Sequence, residues 1–236
     1  DALDLIEVDY EPLPVVVDAK KATEAGAPQL HENAPNNICM TWDCGHKDAT
    51  DAAFSSAEVT VKEQIINQRL IPTPMETRGA LARYDEATGE FTVWMTSQAP
   101  HVMRLLLTAF LFGIPETKLR CISPNVGGGF GQKIFCYADM AFTMWAARKL
   151  GRPVKFVEDR SENYRSSTHG RDHITDVEIA GTKDGTITGL RIETWANLGA
   201  YLSTIAPGIP TTLYGRIATG VYKIPAAYCK VHGVYT

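Results

Sequence analysis

Leu119-Arg-Cys-Ile-Ser-Pro-Asn-Val126 runs into Gly127-Gly-Gly-Phe-Gly-Gln-Lys133, and an apolar segment follows from Phe135. The order reads as strand, glycine-rich turn and helix. Three consecutive glycines leave a backbone with no Cβ to hold a ligand away. They accept positive φ without strain, so several N–H groups can converge on one guest. The turn feeds a helix start, whose unpaired N–H groups favour anions. A phosphate- or pyrophosphate-bearing cofactor is one reading, and simple tight packing of strand against helix is the other. Ile134 follows Lys133 where a Walker A loop has Ser or Thr for magnesium, so that motif does not apply. The dinucleotide fingerprint G-x-G-x-x-G does not apply either. Lys133 stands at an inner glycine's place, and no acidic residue marks a strand end about twenty residues on.

Outward from the loop, Phe135 to Leu150 carries Met140, Phe142, Met144, Trp145 and Ala147. It is apolar nearly all round, which predicts a buried helix. Arg148 and Lys149 suit its last turn, and Gly151 and Pro153 stop it. Upstream, Ser97 is the expected cap of a helix with Pro100 in its first turn and Val102, Leu105, Leu106, Ala109 and Phe110 at helical spacing. Gly79–Tyr84 and Phe91–Thr96 flank a turn-rich tip and predict a hairpin, as do His173–Ala180 and Thr186–Trp195. The fold class is α+β, with mixed sheets, hairpins and packed helices. Residues 1–25, broken by Glu11-Pro-Leu-Pro14, read as the tail of a preceding domain. Residues 26–56 read as a connector with one short helix near Asp48–Ser55.

The 236 residues are 44% hydrophobic and 21% charged, enough apolar material for a sizeable core. The apolar run Leu105–Phe112 is far short of the ~20 residues needed to cross a bilayer. With 23 basic and 27 acidic residues the net charge is −4, which argues against nucleic acid and membrane surfaces as partners. Five cysteines, with no CxxC pair, fit a reducing compartment and a cytoplasmic location. They do not provide the thiolates of an iron–sulfur cluster. The chain opens at Asp1 in a strand-like run, with no initiator Met and no signal peptide, and stops at Thr236 in another. It reads as cut from something longer.

Other candidates are weaker. Cys39, Cys44 and His46 lack an evident fourth zinc ligand. His169 and His173 are spaced for a helix, but Gly170 between them argues for a turn or strand. Arg160, Arg165 and Arg171 could hold an anion or form salt bridges. Asp159 and Glu162 could be an acid/base pair. No metal ligand is assigned.

Gly127-Gly-Gly-Phe-Gly-Gln-Lys133 resembles the GGGFG-x-K loop of the molybdenum hydroxylases, the xanthine dehydrogenase and aldehyde oxidase family. Trp94-Met-Thr-Ser-Gln98 resembles the family's strand ending in a glutamine, and Phe112-Gly-Ile-Pro115 its following helix end. Glu158-Asp-Arg-Ser-Glu-Asn163 and Ser167-Thr-His-Gly-Arg-Asp-His173 are similar to the carbon monoxide dehydrogenase branch. The resemblance makes residues 57–236 the first molybdenum-cofactor-binding lobe, truncated at its C-terminal end. It implies Gln98 as the glutamine that hydrogen-bonds an oxo ligand of molybdenum. It implies Gly128, Gly129, Phe130 and Gly131 as cofactor contacts, with the Phe130 ring excluding water. The implied cofactor is molybdopterin in its cytosine dinucleotide form, not retained by this fragment alone. The implied partners are the remainder of a large subunit, an iron–sulfur subunit, an FAD subunit and a small-molecule substrate. Ile134 stands where xanthine-oxidising members carry a Glu, which argues against xanthine. The family's substrate-facing loop and glutamate base lie beyond the point matched by Thr236.

Overall fold

The computed structural model describes residues 2–236. In chain order it contains β1 (Ile38–Gly45), α1 (Lys47–Ser55), β2 (Val59–Asn67), β3 (Gly79–Asp85), β4 (Glu90–Met95), α2 (Pro100–Leu105) and β5 (Leu119–Ile122). There follow α3 (Ala138–Leu150), β6 (Val154–Val157), α4 (Arg160–Ser166), β7 (His173–Gly181), β8 (Ile187–Asn197) and β9 (Ala226–Val234). The α+β reading holds, and both expected hairpins are present as β3–β4 and β7–β8. Among the described residues no helix is long and apolar enough to cross a membrane. The chain divides into two compact units.

One unit comprises the stretch through Asn67 with Asp172–Leu202 and Ala206–Thr236. Its sheet has the order β1-β9-β8-β7-β2, with β8 and β9 parallel and the other pairs antiparallel. Leu190, Ile192, Ala196, Cys229 and Val231 alternate inward along β8 and β9 and form its core, with α1 packed on the same strands. The expected connector at 26–56 therefore contains a strand, β1, as well as the short helix. The expected tail also contributes to this unit. Ala19 and Ala22 are buried against Val234, and Lys20 Nζ lies 3.0 Å from Asp176. Leu5 to Val15 is largely exposed.

The other unit comprises Gln68–Arg171 with Ser203–Ile205. Its sheet runs β5-β4-β3-β6, with β4 and β5 parallel. Ala80, Ala82, Phe91, Val93 and Met95 face inward at period two from β3 and β4. Met140, Met144 and Ala147 of α3 and Met103 and Leu107 from the α2 region close over them. The burial of α3 is one-sided. Phe142 and Trp145 are exposed, so the helix lies on the sheet by one stripe rather than inside the core. From Leu106 to Phe112 the α2 segment widens into π-helical turns that end at left-handed Gly113. Ser97 does not cap this helix, since its hydroxyl accepts from Ala99 N–H and donates to the Lys133 carbonyl. The bond to Lys133 ties the end of β4 to the glycine loop.

Beneath that junction lies a buried ion pair. Arg78 Nη2 is 2.7 Å from Glu158 Oε2, and both side chains are nearly inaccessible. Asn163 Nδ2 and Arg78 N–H also donate to Glu158, and the Arg78 guanidinium stacks 3.5 Å over the Tyr137 ring. Burial opposes the charge on Glu158, but its hydrogen bonds from Arg78 and Asn163 prevail and hold its carboxyl below the ordinary range. A group with a depressed folded pKa adds stability above its unfolded pKa and loses it as pH falls through the folded value. Glu158→Gln should leave Arg78 buried without its principal counter-charge and cost about 3–5 kcal/mol in denaturant unfolding near neutral pH. That cost should shrink as the medium is acidified below the ordinary carboxylate range. A change under about 1 kcal/mol, the scale of an exposed pair, would contradict this reading.

Candidate functional site

The glycine loop leaves β5 and crosses the end of β4, where Gln98 follows the last strand residues. Gln98 N–H donates to the Lys133 carbonyl at 2.9 Å. Its side-chain Oε1 accepts from Gly131 N–H at 3.1 Å and from Lys133 N–H at 3.2 Å. Two backbone donors converging on one atom require that atom to be the oxygen, so the amide orientation is settled by its partners. The Nε2 group is left as an outward donor with no partner among the described residues, on an exposed side chain.

The close approach of loop and glutamine depends on glycine. A Cβ on Gly129 would stand 2.3–2.6 Å from the Gln98 side chain, and a Cβ on Gly127 would stand 2.6 Å from Glu76 Cβ. Gly128 lies against Pro74 and the Phe130 ring, while Gly131 faces open space. Phe130 has φ 53° and is 74% exposed, so in this chain its ring caps Gly128 and does not seal a cavity. The structure thus brings together Gln98, Gly129 and Gly131, with Gly128 and Phe130 at the rim.

Sequence reasoning missed the support beneath the loop. The Lys133 side chain is wholly buried, and its Nζ lies 2.9 Å from Glu76 Oε2. The same oxygen accepts from Gly127 N–H at 2.7 Å, and Glu76 N–H donates to the Gly127 carbonyl at 3.1 Å. Burial works against the Glu76 charge, but Lys133 and Gly127 N–H outweigh it and hold its carboxyl below the usual range. Arg160 Nη2 binds the carbonyls of Pro74 and Met75, which places the segment carrying Glu76. Gln132 Nε2 donates to Asn163 Oδ1 at 3.3 Å, and Tyr137 Oη to the Gln132 carbonyl at 2.7 Å. The loop is held from both ends and from below.

Other candidates take structural roles. Asp159 and Glu162 form a reciprocal cap of α4, each carboxylate accepting the other's backbone N–H at 2.7 Å, so they are not an acid/base pair. His169 and His173 fall in different units. Cys39 Sγ donates to the Gly233 carbonyl, and Cys44 faces Cys229 across β1 and β9. Burial pushes the Cys229 thiol up to about 12, which leaves it protonated and inert.

The geometry offers an outward amide donor beside a backbone cradle open at Gly131, and it tests the fit of a pterin-held metal. An amide N–H₂ donates to an oxo group or phosphate without competing as a strong ligand. Among the described residues no three His, Cys, Asp or Glu side chains assemble as a metal set. The donors present suit a metal that arrives with its own ligands.

Comparison with known proteins bears on the family. The family model described as molybdopterin cofactor-binding domain matches residues 30–236. The carbon monoxide dehydrogenase large chain of Hydrogenophaga pseudoflava is 42% identical over 100% of this chain and 31% of its own length. The nicotine 6-hydroxylase large subunit of Paenarthrobacter nicotinovorans is 36% identical over 100% of this chain and 29% of its own. The structure of reconstituted CO dehydrogenase from Oligotropha carboxidovorans superposes with a TM-score of 0.87 at 39% identity, over 100% of this chain and 31% of that one. The chain therefore spans less than a third of the length of these relatives. With the family model covering most of its length, the chain belongs to the molybdopterin cofactor-binding domain family of the molybdenum hydroxylases.

Proposed function

We propose that this chain forms one wall of the molybdopterin site in the large subunit of a molybdenum-dependent oxidoreductase. The intact protein oxidises or hydroxylates a small carbon substrate: carbon monoxide, an aldehyde or an N-heterocycle. The observation that carries the reading is Gln98, whose Oε1 accepts from Gly131 and Lys133 N–H groups while Nε2, on an exposed side chain, has no partner among the described residues. When bound, the cofactor supplies the redox-active metal. Gln98 Nε2 donates to an oxo group of that metal. Gly128 to Gly131 give the pterin a backbone surface without Cβ obstruction, and Phe130 covers it from the rim once the cofactor is seated. None of these side chains titrates near neutrality, so they orient and shield and do not carry protons.

Half-buried Ile134 follows the loop and offers no charge to a purine nitrogen, which supports a non-purine substrate. The cytosine dinucleotide form of the cofactor, a cytoplasmic location, and iron–sulfur and FAD subunits as electron acceptors complete the proposal. The last rests on the family resemblance, and it suits a chain whose five cysteines are free.

In the intact parent, Gln98→Ala should lower turnover per molybdenum by ~10–100-fold, the value of one charge-assisted hydrogen bond of about 1.5–3 kcal/mol. Unchanged turnover per molybdenum would overturn the assignment. Gly129→Val should force Gln98 out of its seat and deplete bound molybdenum, measured by metal analysis; full occupancy with full activity would place the site elsewhere. The isolated 236-residue chain should not retain molybdopterin stoichiometrically, because one wall loses most of the buried contacts while the association entropy is undiminished.

A further inference from the structure

We propose that Glu76 is a positioning residue for Gln98, acting through Lys133 and Gly127 to hold the glutamine's outward donor in place. The inference rests on the reading of Gln98 given above and extends it to a residue outside the Gly127–Lys133 loop.

Lys133 is wholly buried, and its ammonium has Glu76 as its acidic partner. An ammonium taken out of water is costly unless paired, so the side chain stays inside only while the carboxylate stays charged beside it. That pairing places the Lys133 backbone, and the Lys133 backbone meets Gln98 twice. Its N–H donates to Gln98 Oε1, and its carbonyl accepts from Gln98 N–H. Meanwhile Glu76 Oε2 also accepts from Gly127 N–H, and Glu76 N–H reaches back to the Gly127 carbonyl. One residue thus fastens the first and last positions of the Gly127–Lys133 loop. Between them, Gly131 N–H supplies the second bond to Gln98 Oε1. With both lone-pair directions of that oxygen occupied, the amide has one orientation, and its donor edge has one direction. A loose loop would let the amide rotate by half a turn and present an acceptor instead. The alignment of Gln98 therefore depends on a carboxylate that is not itself in the cradle.

The test uses the intact protein in two forms. In the cofactor-free form, hydrogen exchange is measured at the backbone amides of Gly127, Gly131 and Lys133 in the wild type, Glu76→Gln and Glu76→Gln/Lys133→Met. Glu76→Gln should speed exchange at these amides roughly tenfold or more, the effect of losing a charge-assisted bond. The double variant has no unpaired ammonium, so it should unfold at close to the wild-type temperature yet keep fast exchange at Gly131 and Lys133. That separates loss of alignment from loss of folding. Wild-type exchange in both variants would overturn the proposal. In the loaded form, turnover per molybdenum is measured for Glu76→Gln, Gln98→Ala and the pair. If Glu76 acts through Gln98, the Glu76→Gln loss should vanish in the Gln98→Ala background; full additivity would overturn the proposal. If Gln98→Ala alone has no effect on turnover, the functional reading of Gln98 fails. Exchange at Gly131 and Lys133 then decides whether Glu76 aligns the loop.

Discussion

Lys133 carries an ammonium group into the interior of its unit, and Glu76 Oε2, 2.9 Å away, makes that burial tolerable. The remainder of the site follows from this pairing. The lysine backbone is held where it can accept and donate to Gln98, and the loop between Gly127 and Lys133 has its two ends tied to one carboxylate. A glycine-rich segment without such an anchor would lose too much conformational entropy on ordering to serve as a preformed cradle. Here a half-exposed acid and a buried base supply the order from below, and the glycines leave the loop backbone open apart from the Gln98 side chain and the Phe130 ring at its rim.

The sheet supplies the other half of the constraint. Parallel pairing of β4 and β5 brings the ends of Trp94 and Ile122 side by side, so Gln98 and the start of the loop emerge from neighbouring strands. Ser97 then bridges to the Lys133 carbonyl, and Ser123 Oγ donates to the Ser97 carbonyl at 2.6 Å. Below, Arg78, Glu158 and Asn163 form a buried charged network that reaches the loop through Gln132. Such a network specifies one arrangement because each member left alone would be a costly buried polar group. The rigidity of the loop thus comes from polar groups behind it, since the loop itself presents largely backbone.

Local patterns carried much of this in the sequence. The turn-rich tip between Gly79–Tyr84 and Phe91–Thr96 announced the β3–β4 hairpin, and three glycines before an apolar run announced the loop. Gln98 became a candidate only through its register with that loop. Glu76 carried no local mark, because its partners Gly127 and Lys133 lie 51 and 57 residues away. Nothing in a lone loop lysine shows that it will be buried. The capping box was legible, since Asp159-Arg-Ser-Glu162 has the spacing of a reciprocal helix cap, and naming the two residues as a weak acid/base candidate passed over that signal. β1 was hidden by the Pro- and Asn-rich stretch before it; its alternation is stabilised by β9, which lies almost two hundred residues downstream. The one-sided burial of α3 could not follow from composition, because an all-round apolar helix says nothing about which stripe the sheet will take.

The account stands on Gln98 Nε2 being the donor that meets the metal's ligand shell beside the Gly127–Lys133 loop. Anomalous diffraction at the molybdenum edge, on crystals of the intact cofactor-loaded protein, tests this directly. The expected peak lies on the Nε2 side of Gln98, one ligand shell away, along the open face of Gly131. A molybdenum peak remote from Gln98, or one facing an oxygen rather than the amide nitrogen, would contradict it.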